Sequence, residues 1–163
     1  MFKQLLALAL GGCFICLFSA PVAAQGNSYG YLLAGPGGTA PNGSGATLHV
    51  AGGGTGGFKN GAGISGELGY VFPFEAPGDG LGVFSVNGSY HFLKSGGKAV
   101  PFITGGYSGF FRGGYLNGVN FGAGVNYWFK QRTGLLVEFR DNIAAGDGDT
   151  RHFLNVRLGV SWR

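Results

Sequence analysis

"GVNFGAGVNYWF", residues 118–129, alternates between two kinds of side chain. Val119, Phe121, Ala123, Val125, Tyr127 and Phe129 share one parity, while Asn120, Gly122, Gly124, Asn126 and Trp128 share the other. A period of two marks a β-strand, whose successive side chains leave the sheet on opposite faces. The fold turns on which face is the inside of the protein.

The same pattern recurs along the chain. Phe84, Val86, Tyr90 and Phe92 alternate with Ser85, Asn87, Ser89 and His91. Ile64, Leu68, Tyr70 and Phe72 alternate with Ser65, Glu67 and Gly69, and Leu135, Val137 and Phe139 with Leu136, Glu138 and Arg140. In the last run, Leu154, Val156, Leu158, Val160 and Trp162 alternate with Asn155, Arg157, Gly159 and Ser161. No stretch keeps helical spacing. Eight strands are expected, near 28–35, 45–52, 61–72, 81–93, 99–110, 116–129, 133–143 and 151–162. "GPGGTAPNGSG" and "AGGGTGG" read as connections after the first two.

Composition limits how such strands are used. Of the 163 residues only 11% are charged, whereas 36 are Gly and 15 are Phe. That leaves too few charges to cover an ordinary wetted surface. The chain opens with Lys3, an apolar run "LLALALGGCFICLFSA" and then "PVAAQG". Small residues at Val22 and Ala24 complete the pattern of a signal peptide, residues 1–24, with residues 25–163 as one barrel domain. Processing at Cys13 as a lipoprotein is disfavoured, because "FICLF" extends the apolar run beyond it. Cys13 and Cys16 leave with the leader, so the exported chain has no disulfide to stabilise it.

Two architectures suit a greasy face opposite a small polar one. A lipocalin-like barrel puts the grease inside, and a transmembrane barrel puts it against lipid. Three features select the second. The polar face is rich in Gly, Ser and Asn and poor in Lys and Glu, as a crowded lumen requires. Aromatics gather at run ends in "YVFPF", "YHF", "GFF" and "YWF", like interfacial girdles. An even strand count also allows closure, which removes exposed edges. The fold class is therefore all-β: an eight-stranded antiparallel up-and-down transmembrane barrel.

Charge orients it. If both termini are periplasmic, the outward loops carry Glu75, Asp79, Asp147 and Asp149, with Asp141 nearby. The opposite turns carry Lys59, Lys94, Lys98, Lys130 and Arg132 and no acid. The short turns "KSGGK" and "KQRTG" and a longer "DNIAAGDGDT" fit the usual asymmetry.

"PFITGGYSG", "GVNFGAGVNYWF", "GLLVEFRDN" and the closing "FLNVRLGVSWR" resemble the later strands of small outer-membrane barrels of the OmpA, OmpX and opacity-protein type. The resemblance covers roughly residues 27–163 and is specific to the family, not to a member. It implies insertion by the barrel assembly machinery, which reads a terminal aromatic, normally Phe. Here the aromatic, Trp162, is penultimate. A peptidoglycan-binding role is not expected to carry over.

Four charges fall on lumen parity: Glu67, Glu138, Arg140 and Arg157. Glu138 and Arg157 lie on neighbouring runs and read as a pair, with Glu67 within reach across a narrow bore. The favoured reading is a plug of mutually neutralising charges, because eight strands leave just enough room for side chains. OmpA-type lumens, by resemblance, hold comparable Arg–Glu clusters. The alternative is a gate on a small pore for ions or tiny solutes. A lipid A-modifying enzyme is a distant third: of the bases His49, His91 and His152, His91 shares lumen parity with Ser89, but His152 is far along the strand from Ser161. No metal-ligand spacing and no phosphate loop is present, so no cofactor is expected. Scattered basic residues exclude a nucleic-acid partner. The expected protein is a monomeric, non-enzymatic outer-membrane barrel with a structural or surface-interaction role, its partners outer-membrane lipid and lipopolysaccharide.

Overall fold

The computed structural model describes residues 28–40, 45–93, 96–146 and 149–163. The expected signal peptide, Lys94 and Asp147 lie outside them. Eight strands follow one another: β1 (Tyr29–Ala40), β2 (Ala46–Gly57), β3 (Ala62–Pro73), β4 (Leu81–His91), β5 (Ala99–Phe111), β6 (Tyr115–Trp128), β7 (Thr133–Gly146) and β8 (Asp149–Trp162). Each pairs antiparallel with its neighbour in sequence, and β8 returns to β1 from Gly30↔Trp162 to Ala40↔His152. Closure satisfies every strand laterally and leaves no edge.

Parity decides the wall. On β6, Phe121 is 59% exposed and Val125 37%, whereas Asn120 and Asn126 beside them are 0% and 1%. Ile64, Val86, Phe139, Val156 and Leu158 face outward in the same way. The apolar face is the outer face. A soluble barrel would place these residues inside, so the alternation is inverted around the whole circumference.

Aromatic side chains ring both ends of this outer wall. Tyr70 and Phe72 lie together near the β3–β4 loop, and Phe111 and Tyr115 flank the β5–β6 loop. At the other end Tyr90 and Phe92 meet edge to face, and Tyr127 and Phe129 project outward. Arg112 joins two loops at the first end. It pairs with Asp79 at 2.6 Å and donates to the carbonyls of Gly78 and Asp79.

Several boundaries differ from those expected of the sequence. β1 runs through "GPGGTA" to Ala40 and β2 through "GGGTGG" to Gly57. Hydrogen bonding to a neighbour on each side does not need a side chain, so glycine tracts enter the ladder despite their turn-like composition. β4 ends at His91, short of Phe92 and Leu93. β7 extends to Gly146 and β8 starts at Asp149, with Gly146 opposite Asp149. All of "DNIAAGDGDT" that the structure describes is therefore strand, not the expected long connection. The difference in charge remains: the described parts of the turns at 58–61, 92–98 and 129–132 hold Lys59, Lys98, Lys130 and Arg132 but no acid.

Candidate functional site: the barrel interior

The inward face of β7 reads Leu136, Glu138, Arg140, Asn142 and Ala144, and it gives the order of layers inside the barrel. An apolar group of Tyr29, Tyr31, Leu33, Phe102 and Leu136 lies toward the short-turn end, with Trp128 packed on it. Charges occupy the middle. Beyond them comes a Ser/Asn network, in which Asn120 donates to Asn87 at 2.7 Å and to Ser108 at 2.9 Å, and Ser108 donates to Asn142 at 3.3 Å. A second apolar group, Val71, Val83, Phe110, Ala144 and Phe153, closes the other end.

All four charged residues expected on lumen parity meet in the central layer. β3, β7 and β8 supply them, and Arg157 is 0% exposed. Arg157 forks onto Glu67, with Nη1 to Oε1 at 2.6 Å and Nη2 to Oε2 at 3.1 Å, and reaches Glu138 Oε2 at 2.8 Å. Arg140 donates from Nε to Glu138 Oε1 at 2.8 Å, approaches that atom from Nη2 at 2.6 Å, and touches Glu67 at 3.3 Å. Tyr31 donates its hydroxyl to Glu67 at 3.1 Å. Two carboxylates thus balance two guanidiniums, each Arg touching both acids. The partnership differs in detail from the expected Glu138–Arg157 pair: Glu138 is held from two sides, and Arg157 grips Glu67 with two nitrogens. Arg is suited to this because its planar fork satisfies two oxygens at once.

Glycine makes the room. Glu67, Glu138 and Arg140 stand opposite Gly53, Gly124 and Gly122 on the adjoining strands. A Cβ on Gly122 would sit 2.8 Å from Glu138 Oε1, and one on Gly53 would sit 2.7 Å from the Tyr31 hydroxyl. Of the glycines of "GVNFGAGVNYWF", Gly122 lies under the Glu138 carboxylate, while a Cβ on Gly118 or Gly124 would meet the ring of Phe110 or Phe102. Beside the cluster a void of only about 10 Å³ remains, bordered by Tyr31, Glu138 and Arg140 among others. That is about the room of one water.

The histidines separate. His49 is fully buried, with Nδ1 3.5 Å from Arg157 Nη1. His91 lies inside as its parity predicts, but its Nε2 contacts the Tyr29 hydroxyl at 3.1 Å rather than Ser89. His152 is on the outer wall, half-exposed, and pairs with Asp141 at 2.7 Å. Among the described residues no group of His, Cys, Asp or Glu is arranged to hold a metal.

The interior apolar groups escape a simple alternation rule. Their signal is doubled apolar residues where one parity alone is expected: Phe110 is inside beside outward Phe111, and Leu136 lies inside between outward Leu135 and Val137. Run-end aromatics therefore serve both the outer girdle and the inner layers.

A closed eight-stranded antiparallel barrel with an apolar outer wall and a charged, crowded interior has the fold of the small outer-membrane barrels. No protein-family model matches the chain, and no curated protein matches it in sequence. Solved structures match its fold. Neisserial surface protein A is 15% identical with a TM-score of 0.64, over 83% of this chain and 96% of that one. The N-terminal β-barrel domain of Pseudomonas aeruginosa OprF is 15% identical with a TM-score of 0.59, over 85% of this chain and 100% of that one. Ail, the attachment invasion locus protein of Yersinia pestis, is 13% identical with a TM-score of 0.59, over 85% and 98%. At these identities the likeness is one of fold, on which function must be argued from the site.

Proposed function

We propose that this chain is an integral outer-membrane barrel of a Gram-negative envelope, exported by a cleaved signal peptide and inserted as a monomer by the barrel assembly machinery. Outer-membrane lipid and lipopolysaccharide surround its wall. Its role is structural or one of surface interaction, and it is not an enzyme. The observation that carries this reading is the interior. Glu67, Glu138, Arg140 and Arg157 neutralise one another across the bore, apolar layers flank them, and about 10 Å³ stays empty beside them. A conducting lumen needs a continuous wetted path, whereas this interior is a plug. His152 and Asp141 lie outside it and play no part in the plug.

Orientation follows from charge: the basic turns face the periplasm, and the loops with Glu75 and Asp79 face out. Planar-bilayer recording from the purified protein tests the plug. The expected result is no unitary conductance, and stepwise ion currents would favour the pore.

A further inference from the structure

The short-turn end of the barrel is hollow where the rest is filled. A cavity of about 660 Å³ opens there, between the β4–β5 turn, the β6–β7 turn and Arg163. Among the described residues, Lys98, Lys130 and Arg163 are the charged ones lining it, and no Asp or Glu does. Among the described residues none of the three forms an ion pair. The interior cations Arg140 and Arg157 are matched by carboxylates, whereas these three exposed rim cations gather around one hollow without one.

Arg163 is held in place. Its guanidinium lies 4.3 Å over the Trp128 ring and its Nε donates to the carbonyl of Gln131 at 3.0 Å. Stacking fixes the plane and leaves the Nη edge as a fork, the shape that grips two oxygens of one anion. Trp128 is itself positioned by Tyr29, edge to face at 5.8 Å.

The cavity wall also includes two buried polar groups without partners. Asn126 is 1% exposed and its Oδ1 accepts from Ser161, but its Nδ2 amide makes no hydrogen bond. His91 is 2% exposed, and its Nδ1 is likewise unpartnered. Buried donors left unpaired are costly, and a native structure usually has a use for them. Three cations and the Asn126 amide around one hollow call for an acceptor-rich anion.

We propose that this vestibule is a binding site for a phosphate group. Arg163 and Lys130 supply the principal contacts, Lys98 the third charge, and Asn126 a neutral donor deeper in. Three cations favour a phosphate over a single carboxylate, since phosphate offers more oxygens and can carry a second negative charge. The group can come from a free phosphorylated solute or from an anionic lipid headgroup at the rim. Binding requires only this end of the barrel; that it faces the periplasm rests on the orientation proposed above.

The test uses the full-length expressed protein, purified from membranes in octyl glucoside, which contains no phosphate. Inorganic phosphate and, separately, monomeric dihexanoyl phosphatidylglycerol are titrated by calorimetry, with the Trp128 indole resonance followed by NMR. Saturable binding at one equivalent is expected, with the indole shifting in step. Arg163→Ala and Lys130→Ala should each weaken it about tenfold or more, the worth of a charge-assisted contact. Lys59→Ala removes a cation from the same end that does not line the cavity, and should change affinity by no more than about twofold because it is screened. Each variant's retained heat-modifiable mobility on gels establishes that it is folded. Saturation by the lipid alone, with the same variant pattern, supports the phosphate site and assigns its source. No saturation with either ligand, or an equal loss in Lys59→Ala, overturns the proposal.

Discussion

Removing the Glu138 carboxylate tests the charge network most severely. In Glu138→Ala the interior keeps one acid, Glu67, for two guanidiniums. Arg140 becomes the orphan, because it loses contacts at 2.6 and 2.8 Å and keeps only one of 3.3 Å to Glu67. Arg157 is less affected, since its 2.6 and 3.1 Å contacts to Glu67 survive. Breaking a buried pair from one side costs about 3–5 kcal/mol, most of it the desolvation of the abandoned charge. Screened pairs in water would cost only about 0–1 kcal/mol, so the size of the loss reports whether the interior is dry. The second substitution then discriminates. Glu138→Ala with Arg140→Ala leaves a neutral Glu67–Arg157 fork and should recover part of the loss, by a coupling of about 0.5–3 kcal/mol. Glu138→Ala with Arg157→Ala should recover less, because Glu67 would keep only the 3.3 Å contact to Arg140 and the Tyr31 hydroxyl. Equilibrium urea unfolding of the reconstituted protein measures all the variants. Simple addition of the single losses, or a better rescue by Arg157→Ala, refutes the network as described.

Further consequences concern the wall, the glycines and the loops. Arg at Phe139 or Val156, outward and mid-strand, should cost about 2–4 kcal/mol at the bilayer midplane in the same unfolding assay. Gly122→Val would place its Cβ 2.8 Å from Glu138 Oε1, and such overpacking should destabilise by about 1–3 kcal/mol. Arg112→Ala breaks an exposed pair with Asp79 and should change stability by no more than about 1 kcal/mol, although proteolysis of the joined loops should quicken.

The inverted wall and the four central charges were legible in the sequence because both follow from a period of two, which a strand transmits without loss. The partnership was legible in part: the Glu138–Arg157 contact is present at 2.8 Å and Glu67 is in reach, but the hold of Arg140 on Glu138 was not read. Whether Arg140 or Arg157 holds Glu138 depends on where side-chain tips reach across the bore, and parity fixes only the face. The extents of β1 and β2 were illegible for another reason. Glycine tracts look like turns locally, yet this one is strand, with Gly53 paired opposite Glu67 and lying beneath the Tyr31 hydroxyl. The inner apolar layers were hidden in the doubled residues "FF" at 110–111 and "LL" at 135–136, where one strand end serves two faces. The vestibule depends on turns meeting in space, which no local pattern encodes.

The central claim is that the apolar parity faces lipid. Single cysteines at each position from 120 to 127 on β6, carrying a fluorescent probe in bilayers of brominated lipid, test it directly. Quenching is expected at 121, 123, 125 and 127, with little at 120, 122, 124 and 126. Stronger quenching on the even positions, or quenching with no period of two, would contradict the inverted barrel.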